Sequence, residues 1–92
     1  MAKDPGMGYQ VTATVESIKG TCNAGHTVGE TFDLSCHNPA GLCGYCYHAI
    51  FANLQTFQFG GKLPWWREQD TIHLQCPDPY NLLTLKLERK PR

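Results

Sequence analysis

The chain has 92 residues, which is enough for one domain, and a domain of this size buries only about 60 to 65 per cent of the surface that its unfolded chain exposes. Eight basic and eight acidic residues balance, so the chain lacks the charge that binding to nucleic acid or an anionic membrane requires. No apolar run approaches the roughly 18 residues that span a bilayer, and no signal peptide is recognisable, so we expect a cytoplasmic protein with neither partner.

The first predicted element is a β-strand that follows a short lead. Residues 1–8 contain little that a core could bury, and we expect them to be flexible. From Tyr9 onward, apolar residues alternate with polar ones through Glu16, which is the period of a strand with one buried face. The folded domain is therefore predicted to begin at Tyr9.

A glycine-rich loop and a second strand are predicted next. Residues 19–30 contain three glycines, spaced too irregularly for a helix and too densely for a strand. Alternation then returns over residues 31–36, which predicts a short strand. Its expected buried face is formed by Phe32, Leu34 and Cys36.

The middle of the chain predicts an amphipathic helix. Asn38 is a suitable N-cap, and Pro39 suits the first helical position because its missing N–H is not needed there. An apolar stripe follows, with intervals of four, three and four residues. Its members are Cys43, Tyr47, Ile50 and Leu54. Cys46 begins an adjoining stripe, so Cys43 and Cys46 are predicted to lie about one helical turn apart near the helix start.

The last third predicts a β-hairpin. Two glycines and a proline interrupt residues 59–66, where Trp65 and Trp66 either close the core or form an interface. Alternating residues on both sides of a "PDPYN" turn, in which Asp78 is the expected turn former, indicate two strands. The whole pattern predicts an α+β fold over residues 9–88, a small antiparallel sheet of four to five strands with one main helix packed on a face, followed by a basic tail at 89–92.

Nine cysteine and histidine residues supply candidate ligands or reactive groups. In a cytoplasmic chain, five cysteines favour metal ligands, reactive thiols or core residues over disulfides. The candidates are Cys22, His26, Cys36, His37, Cys43, Cys46, His48, His73 and Cys76. Only Cys43-x2-Cys46 has the short spacing typical of paired zinc ligands, and Cys22-x3-His26 is a looser counterpart.

Two other interpretations of the cysteines remain open. Cys43 at a helix N-terminus has the position of a reactive thiol in disulfide oxidoreductases, although the βαβ surroundings of a thioredoxin-like fold are missing. Alternatively the cysteines are core residues, which is the simpler interpretation of Cys36 and Cys76 taken singly. His73 is predicted to point away from the face that carries Cys76. No phosphate-binding loop, catalytic triad or carboxylate pair is recognisable.

Four segments in a fixed order resemble a family of small bacterial and archaeal proteins of about this length. They are "KGTCNAGHTVGETF" at 19–32, "PAGLC" at 39–43, "FGGKLPWW" at 59–66 and "CPDPYN" at 76–81. The family's motif positions fall on Cys22, His26, Cys43 and Cys76. The resemblance thus implies a set of three cysteines and one histidine, a stoichiometry that tetrahedral zinc or another transition metal accepts.

These four residues are expected to converge, because the loop, the helix start and the strand end at Cys76 can meet at one edge of a small sheet. The resemblance implies no activity or substrate, and the sequence indicates no general base for a water-activating enzyme. Three functions therefore remain open. The protein is a metal-binding protein, a thiol or redox protein with Cys43 as its reactive residue, or an interaction module whose cysteines are core residues. The sheet edge and the tryptophan pair further predict a homo-oligomer.

Overall fold

Residues 2–92 are described by a computed structural model, which confirms the predicted α+β fold and element order. The sheet has four antiparallel strands in the order β2-β1-β4-β3. The elements are β1 (Gln10–Ile18), β2 (Thr31–Leu34), α1 (Gly44–Gln58), β3 (Thr71–Gln75) and β4 (Leu83–Lys90). Met1, which belongs to the predicted lead, lies outside the described residues.

The central strands are those whose alternation is clearest in the sequence. In β1, Val11, Ala13 and Val15 are buried, as their period predicts. β1 pairs with β2 on one side and with β4 on the other, and β3 pairs with β4 as the predicted hairpin. The strands β2 and β3 are therefore the two edges of the sheet.

Helix α1 and the sheet share one hydrophobic core. The buried helix face carries Cys46, Ile50, Leu54 and Phe57, which cluster with the buried residues of the strands. Each fully buried aliphatic or aromatic side chain contributes about 1.5–3 kcal/mol to stability. The predicted helix stripe was wrong in its first two residues, because Cys43 and Tyr47 are only half-buried. The buried face of the helix begins instead at Cys46, on the adjoining stripe.

The helix begins later than predicted, and the second strand ends earlier. Ser35 pairs with Asn38 in an isolated β-bridge, which turns the chain and takes Cys36 out of the strand. The Asn38 side chain accepts a hydrogen bond from the N–H of Ala40 instead of capping a helix, and Ala40 has the left-handed φ of 54°. The helix therefore starts at Gly44, with Cys43 as its N-cap.

Three further features complete the fold. β4 continues to Lys90, so the strand includes two residues, Arg89 and Lys90, that the sequence assigned to the basic tail. Trp66 is half-buried and packs edge-on against Phe57 at a centroid distance of 5.9 Å, whereas Trp65 is 72% exposed. Within residues 2–92, no helix combines the length and apolar character that crossing a membrane requires.

Candidate thiol site

Three cysteines from three separate segments line one cavity at an end of the sheet. Cys22 lies in the loop after β1, Cys43 is the N-cap of α1, and Cys76 directly follows β3. The cavity has a volume of about 380 Å³, and its other walls include Tyr45 and Tyr80. The structure thus brings three of the four predicted ligands to one place, and we call this place the thiol cavity.

Asn81 holds the loop of Cys22 against the connection between β3 and β4. Its side-chain oxygen accepts a hydrogen bond from the N–H of Thr21 (3.0 Å), and its backbone carbonyl accepts one from the N–H of Gly20 (3.1 Å). Gly20 approaches Asn81 so closely that a Cβ at position 20 would collide with the Asn81 side chain. These contacts fix the distance between the segments that carry Cys22 and Cys76.

Asp78 lies on the cavity wall but acts as a turn residue. One of its carboxylate oxygens accepts hydrogen bonds from the backbone N–H groups of Tyr80 and Asn81, and the other accepts one from the Asn81 amide (2.9 Å). The hydrogen bond from the Asn81 side chain, followed by that from the Tyr80 backbone, lowers the pKa of Asp78. The predicted role of Asp78 as a turn former agrees with these contacts.

Substitution of Gly20 tests the contact with Asn81. Gly20→Ala is expected to destabilise the protein by about 1–3 kcal/mol, because the new methyl group displaces the Asn81 amide from the Thr21 N–H. The matched control is Gly44→Ala at the first residue of α1, where a Cβ meets no atom within 4 Å and helix propensity improves. Urea denaturation measures both variants. Equal stability of the two would contradict this account of the loop.

Cys46 is a fourth thiol close to the cavity, on its core side. Cys46 is only 2% exposed to solvent. Burial raises the pKa of the Cys46 thiol to about 12, and interactions with Cys76, Cys43 and Cys22 raise it too. Cys46 belongs to the core cluster, and Cys22, Cys43 and Cys76 pack against that cluster. In the sequence, the Cys43-x2-Cys46 spacing is the feature that indicates that Cys46 lies near Cys43.

The raised pKa of Cys46 predicts that the metal-free protein loses stability at alkaline pH. Above about pH 9 the unfolded thiol ionises, whereas the folded thiol keeps its proton up to about pH 12. The unfolded state then binds fewer protons, so stability falls with rising pH by at most about 1.4 kcal/mol per pH unit. Urea denaturation between pH 8 and pH 11 should show a steeper loss for the wild type than for Cys46→Ala. Identical slopes of stability against pH for the two proteins would contradict this role of Cys46.

His26 lies beside Cys43, and both of its ring nitrogens are hydrogen-bonded. Nε2 accepts a hydrogen bond from the backbone N–H of Cys43 (3.0 Å), so Nδ1 carries the proton and donates it to Oε1 of Glu30 (3.0 Å). The ring packs edge-on against Phe32, and its side chain is only 8% exposed. His26 thus connects the loop after β1 to the start of α1 as a neutral imidazole.

The other candidate residues lie away from the thiol cavity. His37 and His48 are exposed, and His73 is an exposed residue of β3 that contacts Glu16 at 3.3 Å. Cys36 lies in the turn after β2, where its N–H donates to the side chain of Gln58 (2.8 Å), and burial raises the pKa of its thiol. Cys36 is therefore a free thiol outside the cluster, which makes it a natural control.

All five cysteines are free thiols. Among residues 2–92, no group of three or more His, Cys, Asp or Glu side chains has the arrangement that could hold a metal ion. Comparisons with protein-family models, with curated proteins and with solved structures find no match. The family resemblance suggested by the motifs therefore stays a prediction.

Proposed function

We propose that the protein binds a soft or borderline transition-metal ion, with zinc as the first choice, at the thiol cavity. The observation that supports this proposal is the convergence of Cys22, Cys43 and Cys76 from three separate segments on one cavity. Thiolates are the preferred protein ligands of such ions. The proposal includes a reducing, cytoplasmic setting in which these thiols stay reduced.

Binding requires the thiols to move closer together than they are in the structure. A cysteine sulfur changes position by rotation about χ1 alone, so the side chains can close around an ion while the backbone segments keep their places. The ion displaces the thiol protons, since only the thiolate is a ligand, and binding to the folded state alone stabilises it. A small domain with a modest core gains most from such a contribution.

Titration with Co²⁺ under anaerobic, reducing conditions tests the proposal. We expect saturation at one ion per chain, with the intense near-ultraviolet absorption of Co²⁺–thiolate bonds and displacement of Co²⁺ by Zn²⁺. Proton release and a higher melting temperature should accompany binding. A chain that gives no thiolate absorption and no change in melting temperature would refute metal binding at the thiol cavity.

A second candidate function, thiol–disulfide exchange, is supported by the position of Cys46 in the core cluster against which Cys76 packs. In it, the thiolate of Cys76 attacks oxidised glutathione and forms a mixed disulfide, with release of one glutathione thiolate. The released glutathione thiolate takes the proton of Cys46, and the Cys46 thiolate attacks the sulfur of Cys76, breaks the mixed disulfide and releases the second glutathione as thiolate, so that both electrons end on glutathione. The sequence instead favoured Cys43 as the reactive residue. Mass spectrometry after treatment with oxidised glutathione separates a Cys46–Cys76 disulfide from one that contains Cys43 and from no reaction.

Self-association remains part of the proposal and is supported by the surface near β3. Trp65 is 72% exposed and lies beside a cavity that includes residues of this edge strand. An edge strand next to an exposed aromatic side chain is a surface that a second copy can cover. Sedimentation analysis of the wild type and of Trp65→Ala tests this point. A wild type that is monomeric at high concentration would argue against it.

A further inference from the structure

The geometry points to Cys46 as the fourth ligand of the proposed ion, together with Cys22, Cys43 and Cys76, and to His26 as the residue that positions Cys43. This inference rests on the metal site proposed above and names its ligand set. It replaces the set of three cysteines and one histidine that the motifs imply with a set of four cysteines. The two sets share three residues and differ in whether nitrogen or sulfur completes the tetrahedron.

His26 would have to abandon an existing hydrogen bond in order to bind an ion. Coordination through Nε2 would leave the N–H of Cys43 without its acceptor, and coordination through Nδ1 would break the contact with Glu30. Both bonds are 3.0 Å long, and the ring is also held against Phe32 at a centroid distance of 5.0 Å. The imidazole is thus fully used in the connection between the loop and the helix.

Cys46 has no such competing role. It is the third residue of α1 and follows Cys43 by one helical turn, so the two thiols share one side of the helix start. It is 2% exposed and belongs to the core cluster against which Cys22, Cys43 and Cys76 pack. Cys46 thus lies on the core side of the helix start, whereas the other three cysteines line the thiol cavity.

His26 supports Cys43, one of the proposed ligands, through hydrogen bonds and without contacting the ion itself. Glu30 accepts from Nδ1, and Nε2 accepts from the backbone of Cys43, so the position of one ligand is set by a buried ring on a different segment. Loss of such outer contacts lowers metal affinity by about 10–100-fold without changing the ligands. His26→Gln, which keeps an acceptor for the Cys43 N–H, should lose less affinity than His26→Ala.

The decisive experiment loads the wild-type chain, labelled with ¹⁵N at histidine, with ¹¹³Cd²⁺ and records both nuclei by NMR. We expect one ¹¹³Cd resonance in the region of four-sulfur sites and no ¹¹³Cd–¹⁵N splitting on His26, whose Nδ1 should stay protonated. Cys46→Ser should move the ¹¹³Cd resonance towards that of three-sulfur sites, whereas Cys36→Ser and His26→Gln should not.

The outcomes separate this inference from the proposed function. A ¹¹³Cd–¹⁵N splitting on His26, or a three-sulfur resonance in the wild type, overturns the assignment of Cys46 while metal binding stands. A chain that does not bind Cd²⁺ overturns both. Because the wild-type spectrum alone distinguishes these cases, the result holds even if Cys46→Ser proves too unstable to study.

Discussion

Replacing any one of Cys22, Cys43 and Cys76 with serine is expected to weaken Zn²⁺ binding by at least about 100-fold. Zinc bound to four protein ligands gains about 10–16 kcal/mol, so the loss of one thiolate removes on the order of 3 kcal/mol. A hydroxyl is a poor substitute because it does not ionise near neutral pH. Competition with a chromophoric chelator measures the affinity of each variant.

Cys36→Ser is the matched control for these substitutions. Cys36 is a half-buried free thiol like the others, but it lies in the turn after β2 and only its backbone N–H makes a hydrogen bond, to Gln58. The control should bind Zn²⁺ as the wild type does. If Cys36→Ser weakened binding as much as the three cavity variants, the effect would come from general loss of stability and the thiol cavity would not be the site.

Arg89→Ala is expected to destabilise the fold by about 3–5 kcal/mol, because its buried guanidinium pairs several backbone groups at once. The Arg89 side chain is only 1% exposed. It donates hydrogen bonds of 2.7–2.8 Å to three carbonyl groups, those of Phe57, Gly61 and Gln69. It also contacts the Asp70 carboxylate and lies 4.5 Å from the centre of the Phe57 ring. Removal leaves these carbonyls without a donor in the protein interior.

The control for Arg89 is Arg92→Ala. Arg92 makes an ion pair of 2.7 Å with Asp4, but both side chains are about 30% exposed, so the pair is worth about 1 kcal/mol or less. Urea denaturation of both variants gives the comparison. A loss for Arg89→Ala as small as that for Arg92→Ala would show that the carbonyl network does not stabilise the junction of α1 and β4.

The strands could be predicted from the sequence because their signal is local. In β1 and β4, each buried residue is flanked by residues that point away from the core, and the alternation alone fixes which face is inside. The hairpin of β3 and β4 follows from two such runs around a proline-containing turn. The convergence of Cys22, Cys43 and Cys76 was also accessible, because they lie in the loop after β1, at the start of α1 and directly after β3.

The features that the sequence did not reveal depend on contacts between distant segments. Two adjacent helical stripes each contain a cysteine, and only packing against the sheet decides that Cys46 is buried and that Cys43 remains at the cavity. The motif could place His26 near the site, but not the directions of its ring nitrogens. The sequence assigned Arg89 to a basic tail because no local pattern reveals its hydrogen bonds. The carbonyl groups that accept them belong to residues 57–70, far from Arg89 in the chain.

The most direct test of the account is elemental analysis of protein purified natively without chelators, combined with thiol titration before and after removal of metal. The account predicts one transition-metal ion per chain. It also predicts that chelation makes the half-buried thiols of Cys22, Cys43 and Cys76 reactive, whereas the buried thiol of Cys46 reacts only after denaturation and Cys36 is unchanged. Protein that is free of metal, and whose thiols react in the same number and at the same rates with or without chelator, would contradict the account.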